Sequence, residues 1–373
     1  FATMGVPAIN TGMQRTLEET IGGQVAFLEN YLTTINDYAY LYVSLGCRDW
    51  GWVLFRMGPA IPRLLRNGER HWREVARPRY AEIVARWRGR QPGDMSAAEL
   101  LDGAAELTAA MASYLTSLQV DAIGTAAGTE GLFTAVYDRM MKCEGDPPAA
   151  TLLLGADSLP IQAEKELYDL AQWCRERGEL ATRILNTPSP RLAEQLTHGR
   201  VPLGNGDWGE LQYRFQAHLK RYGHSFYDLD FAKPLPVDDP QPLLEALKLF
   251  LRGEGTDPHE RQQKAVERRE AAIEATSRRV RGLKRRLFRW TLRWAQRFAL
   301  VREDSIFDIG LGYPVLRRLL HELGCRLAGA GTIAEPGDVY WLERAEVERD
   351  AAALDSGWSL EDRMDCIEAR KAI

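Results

Sequence analysis

Cysteine is scarce in this chain: five in 373 residues (Cys47, Cys143, Cys174, Cys325 and Cys366), irregularly spaced and with no CxxC pair. That excludes a disulfide framework and a thiolate metal site, and a reducing, cytoplasmic setting is expected. Long hydrophobic runs are missing too. No stretch of eighteen apolar residues exists, so neither a membrane span nor a signal peptide is expected. Charge of one sign is not in excess: 48 Lys and Arg stand against 52 Asp and Glu, a formal net charge of −4. Bulk attraction to nucleic acid or to an anionic membrane is therefore not expected. HExxH and GxSxG are absent, the six histidines are scattered, and no metal site is expected. The glycine-rich pieces GTAAGTEG (124–131) and GLGYP (310–314) have neither Rossmann nor P-loop spacing, and neither follows a clear strand.

What remains is an ordinary globular composition, 45% hydrophobic and 27% charged, long enough to bury a core. There is no β-α-β alternation, no internal repeat and no low-complexity tract. Almost every segment reads as helix. Ser96-Ala97-Ala98-Glu99 has capping-box spacing ahead of an Ala- and Leu-rich run. Pro160 opens a helix whose inner face is Leu167, Leu170, Ala171 and Cys174. A further helix carries Leu211, Phe215, Leu219 and Tyr222, stops at Gly223, and gives way to a proline-interrupted loop. Thr256-Asp257-Pro258 with Glu260 is a helix start. Tyr38, Tyr40 and Tyr42 alternate, so part of that run is expected to be extended.

The chain is expected to be organised around a long helical pair from Asp257 to Gly329. One apolar stripe runs through Val280, Leu283, Leu287, Trp290, Trp294, Phe298 and Val301. A second runs through Ile306, Ile309, Tyr313, Leu316, Leu320, Leu323 and Leu327, with a polar break at Arg302-Glu303-Asp304-Ser305 between them. The fold class is thus mostly α, an irregular helical domain with long antiparallel C-terminal helices and at most a few short strands. A single domain, 1–373, is expected, with 1–150 and 151–373 as the alternative division.

Two clusters carry candidate chemistry. Tyr222-Gly223-His224, with Asp228 and Asp230, sets an imidazole and two carboxylates just past a helix end; the same pattern also suits a capping histidine among solvated acids. Arg302 beside Glu303 and Asp304 offers a fixed fork for phosphate or carboxylate oxygens, or an internal ion pair at a helix junction. The arginines from Arg278 to Arg297 read as a solvated face, because their aromatics follow the apolar stripe.

RYGHSFYDLDFAKPLPVDDP (221–240) resembles the YGH segment of rifampicin phosphotransferases and related phosphoenolpyruvate-synthase-like enzymes. VREDSIFDIGLGYPVLRRLL (301–320), with AEPGDVYWL (334–342), resembles their R-E-x-P-K-F helix pair and the segment that follows it. Fainter echoes are NDYAYLYVSL and LLLGADSLPIQAEKELYDLA, and the order is collinear over nearly the whole chain. The resemblance implies a machine in which an ATP-grasp domain cleaves ATP to AMP and phosphate, a histidine carries the phosphoryl group, and a helical domain holds the acceptor. This chain is expected to be that helical domain alone, binding no cofactor itself. ATP and Mg²⁺ are expected on a missing ATP-grasp domain, which with the phosphohistidine domain would act in cis or in trans.

Carried over residue by residue, Arg302 would orient the phosphoryl group with Glu303 beside it, and His224 would be the base. Asp230 and Tyr42, with Tyr40, Met140 and Met141, would border the small-molecule acceptor. Two departures stand out: the family's Pro-Lys is Ser305-Ile306 here, and the arginine after its YGH is Ser225. The competing reading is a non-catalytic helical module that binds a small molecule or a protein; a nucleic-acid-binding protein is the weakest alternative.

Overall fold

The computed structural model describes residues 9–11, 32–35, 38–41, 61–197, 206–225 and 230–372. It is mostly α. The tyrosine-rich run contributes β1 (Leu32–Ile35) and β2 (Tyr38–Leu41), an antiparallel hairpin with Leu32 opposite Leu41. Then α1 (Ile61–His71) passes through a π-helical stretch, Trp72–Ala76, into α2 (Arg77–Arg88), which stops at Gly89. The start of α3 (Ala97–Leu118) is the Ser96 box: the hydroxyl accepts from Glu99 N at 3.1 Å, and Ser96 N donates to the Glu99 carboxylate at 3.0 Å. A second π stretch, Gln119–Gly124, leads to α4 (Thr125–Met140).

The inner face read for α5 (Leu159–Arg175) is the buried one, and Pro160 sits in its first turn. Short helices α6 (Gly178–Asn186) and α7 (Ser189–Thr197) precede α8 (Gly206–Tyr222), whose Leu211, Phe215, Leu219 and Tyr222 are all buried. α9 (Gln241–Arg252) ends at Gly253, φ +76°, a left-handed position that glycine adopts without strain. Asp257 caps α10 (Pro258–Arg279), accepting from His259 N at 2.8 Å.

α11 (Gly282–Phe307) and α12 (Tyr313–Gly329) correct the expected pair in three ways. Asp257 to Gly329 is three helices, because the chain turns at Val280-Arg281 with Gly282 at φ +58°. Arg302–Ser305 is no break: α11 runs through it to Phe307, and a 3₁₀ turn follows at Asp308–Gly312. Polar side chains do not end a helix; Gly310 and Gly312 lie in the turn where it stops, and Pro314 opens α12. The stripe holds at Val280, Phe298 and Val301, which are buried, but is out of phase between them. Leu283 is 81% and Trp290 48% exposed, while α11 buries Phe288, Thr291, Leu292, Ala295, Phe298 and Val301. Two apolar faces exist on this helix, and the one that is covered is the one that meets α4. The chain closes with a 3₁₀ turn (Pro336–Trp341), α13 (Arg344–Ser356) behind a Glu343/Glu346 capping box, and α14 (Met364–Lys371).

Contacts divide the chain into two compact units, each drawn from separated stretches: 1–120, 227–233 and 309–373 in one, 121–226 and 234–308 in the other. In the first unit α12 packs on α3 so closely that a Cβ at Gly103 would lie 2.8 Å from both Leu319 and Trp87. Tyr80 donates to Ile309 O at 2.9 Å and accepts from Gly312 N at 3.0 Å. The buried Arg363 guanidinium donates twice to Asp350, at 3.0 and 3.1 Å.

The second unit has two apolar cores. One gathers α5 to α9 around Leu170, Ile184, Phe215 and Leu247. The other sets Phe133, Tyr137 and Met141 of the α4 region against Phe288, Leu292 and Ala295 of α11. Those two helices run antiparallel, Glu130 opposite Arg302 and Phe133 opposite Phe288. Among the described residues no helix is long and apolar enough to cross a membrane.

Candidate functional site

The four polar residues inside α11 go separate ways. Arg302 turns to α4, where its Nη1 donates to Glu130 at 3.3 Å, while Nε and Nη2 donate to Glu303 at 3.3 and 3.2 Å. Asp304 accepts from Leu159 N at 2.8 Å and so holds the first turn of α5. Ser305 is buried, its hydroxyl donating back to Arg302 O at 3.0 Å. A guanidinium carries five N–H donors, and three are used here, so two are left for a guest.

Beside Arg302 a groove of about 590 Å³ runs along α4. Ala127, Gly131, Thr134 and Ala135 floor it, because their side chains are too short to fill the space. Its charged lining is Arg302 and Arg139 against Glu130 and Asp138, two of each sign. Such a groove has no net attraction for an anion; it suits a neutral molecule with hydroxyl or carbonyl groups. The small residues were visible in GTAAGTEG, but that Glu130 and Arg139 share a wall with Arg302 depends on which turn of α11 faces them, and sequence does not state that.

His224 follows the end of α8. Its Nε2 lies 3.6 Å from Asp308 Oδ1, beyond hydrogen-bond reach, and has no hydrogen-bond partner among the described residues. The ring meets Phe307 edge-on at 4.8 Å. Asp308 is six residues past Arg302, about 9 Å along the axis and about 120° around it. His224 therefore sits off another side of α11 and is not among the residues lining the Arg302 groove. Arg302 and Glu303 are brought together; His224 is held apart from them.

The remaining candidates disperse. Met140 is 44% exposed at the end of α4, whereas Met141 is buried in the core with Phe133 and Tyr137. Asp230 belongs to the first unit, where its carboxylate accepts from Ala232 N at 3.0 Å and borders a cavity of about 80 Å³ with Phe231 and Tyr340. Tyr40 lies on β2, but its side chain, like Tyr42 and Asp228, falls outside the described residues.

Sequence reasoning passed over His218, which is buried on α8, with its ring 5.1 Å from that of Tyr222 and Nδ1 lacking a hydrogen bond. Burial pushes its pKa down to about 4. Tyr222 donates to Glu166 at 2.7 Å, and burial, then that carboxylate, raises its phenol. The only signal was a histidine three residues past Phe215 on the buried face of the helix.

Comparison with known families bears on this unit. Residues 125–303 match the family model described as the rifampicin phosphotransferase fourth domain. The match starts with α4 and ends on Arg302 and Glu303, taking in His224, Met140, Met141 and Asp230. The chain carries a rifampicin phosphotransferase-like domain over that segment, just under half of its length. A search of curated proteins gave no match.

Proposed function

We propose that this chain holds the acceptor for an ATP-dependent phosphotransferase in which a phosphohistidine delivers the phosphoryl group. The observation that carries the reading is the family match that ends on Arg302-Glu303, together with the open groove that Arg302 lines. Glu130 and Glu303 fix the fork, and the two spare donors face the incoming group, since phosphoryl transfer depends mainly on position and charge compensation. The balanced charge of the groove favours an uncharged acceptor with a hydroxyl. His224, with Nε2 unengaged, is the base of this scheme; it reaches the acceptor only if the acceptor extends around α11 toward Phe307. ATP cleavage to AMP and phosphate, with its Mg²⁺, belongs to an ATP-grasp domain in cis or in trans.

The test combines this chain with ATP-grasp and phosphohistidine domains, Mg²⁺ and β-³²P-labelled ATP. Rifampicin and a panel of phenols and alcohols serve as acceptors. Label should pass to one acceptor class, and Arg302→Ala should lower turnover about 100-fold, the usual cost of losing one donor to a developing charge. Unchanged turnover removes the role given to Arg302.

A second reading has its own support. Two carboxylates already offset the Arg302 charge, as in a structural ion pair, and that suits a binding module without catalysis. On that reading a ligand binds the chain with the same Kd in wild type and Arg302→Ala, and no label moves.

A further inference from the structure

Residues 278–297 hold nine of the chain's 48 basic residues and none of its 52 acidic ones. The rest, 39 basic against 52 acidic, is strongly acidic, so the small overall charge hides a local basic face. Arg278 and Arg279 are paired, with Glu274 and Asp146. Arg281, Lys284, Arg285, Arg286, Arg289 and Arg293 have no ion-pair or hydrogen-bond partner among the described residues. Arg281, Arg285 and Arg289 recur every fourth position and line one groove of about 530 Å³.

Next to this row lies a second apolar stripe of α11, Leu283, Leu287, Trp290 and Trp294, at spacings of four, three and four; Leu287 and Trp294 are half-buried at its edge, and Leu283 and Trp290 face outward. Leu283 is 81% and Trp290 48% exposed, far more than solvent-facing helix positions need. An apolar ridge flanked by unpaired cations asks for a surface with apolar side chains among acids. Nucleic acid fits poorly, since two of the four ridge residues are leucines with no ring to stack on, and Trp294 already stacks on Phe298 beneath Arg297. A bilayer fits poorly as well, since Glu270 and Glu274 line the same groove as the arginines and would face anionic headgroups.

The chain itself bears such a surface, at 358–368. Trp358 is 71% and Met364 36% exposed. Glu361, Asp362, Asp365 and Glu368 are exposed around them. Arg363, the one cation of the stretch, is turned inward to Asp350 and takes Glu361 at 2.8 Å, and Lys371 takes Glu368 at 3.3 Å. Asp362 and Asp365 have no ion-pair partner among the described residues. We propose that the basic ridge of α11 on one copy docks against the acidic Trp358–Glu368 surface of a second copy. The contact is heterologous, so it propagates head to tail or closes into a ring. It is independent of the phosphotransferase reading.

Sedimentation velocity on the full chain tests this. Wild type should show multiples of the monomer mass at about 0.1 M NaCl and dissociate at about 1 M, where screening shortens from about 10 Å to about 3 Å. Arg285→Glu/Arg289→Glu and Asp365→Lys/Glu368→Lys should each weaken association about tenfold or more with unchanged circular dichroism, since the reversed residues are exposed. Mixing the two variants should restore association, because the acidic ridge of one then meets the basic surface of the other. Three results overturn the proposal: a monomer at every concentration and salt, association indifferent to the reversals, or no rescue on mixing. So does a monomer whose ridge instead binds phosphatidylserine vesicles or an oligonucleotide.

Discussion

Acid should destabilise this protein through one histidine, and the size of the effect follows from where His218 sits. The residue is 5% exposed on α8, its ring tilted against that of Tyr222, with no hydrogen-bond partner at Nδ1 among the described residues. Burial holds its pKa down at about 4, against about 6.5 for the unfolded chain. The folded state therefore binds fewer protons than the unfolded one between those two values. Stability from this group is fully present above about pH 6.5 and is lost as pH falls toward 4. The gap of about 2.5 units is worth about 3 kcal/mol, of which about 2 are gone by pH 5. His218→Phe keeps a ring against Tyr222 and removes the proton. Urea unfolding of wild type and variant, followed by tryptophan fluorescence from pH 7.5 to 4.5, should show their difference changing by about 2.5 kcal/mol in the variant's favour. Taking the difference removes acid effects common to both, such as protonation of Asp146 and Glu346, whose pKa values their arginine partners Arg279 and Arg370 hold down. A wild type and variant that lose stability in parallel, or an imidazole resonance of His218 titrating near 6.5, would refute the reasoning.

Other outcomes follow from single contacts. Asp350→Ala removes both buried hydrogen bonds of the Arg363 guanidinium, leaving it only exposed Glu361, and should cost about 3 kcal/mol in thermal denaturation, while Asp350→Leu/Arg363→Met should recover most of it. Gly324→Ala sets a Cβ against the backbone carbonyl of Pro336, which has no rotamer to yield, and should destabilise by more than about 3 kcal/mol. Gly103→Ala presses only on the side chains of Leu319 and Trp87 and should cost about 1–3 kcal/mol by the same melting measurement. Burial pushes the Cys174 thiol up to about 12, so a thiol reagent at pH 8 should label Cys143 and Cys325, which are exposed, and reach Cys174 only on unfolding.

Much of the helix map was legible because its signals are local. The Ser96 box, the Asp257 cap with Pro258, and the stops at Gly89, Gly223 and Gly253 each act within one turn, through a hydroxyl, a missing N–H or a permitted φ. Inner faces were legible on α5 and α8, where each helix has one apolar face and the choice is forced. The candidate site was readable only in part. Arg302 and Glu303 are adjacent in sequence and stay together, while Met140 and Met141, equally adjacent, diverge into solvent and core.

By itself the sequence determined that this chain is mostly helix, where most of those helices begin and end, and which segments resemble rifampicin phosphotransferases. Tertiary structure alone decided the phase of α11. That helix has two apolar faces, and periodicity ranks them equally. Packing chose the face that fits the short side chains of α4, leaving Leu283 and Trp290 outside and turning Arg302 toward Glu130. Periodicity records how often a helix repeats; it contains nothing about which neighbour arrives, and burial is a property of the pair.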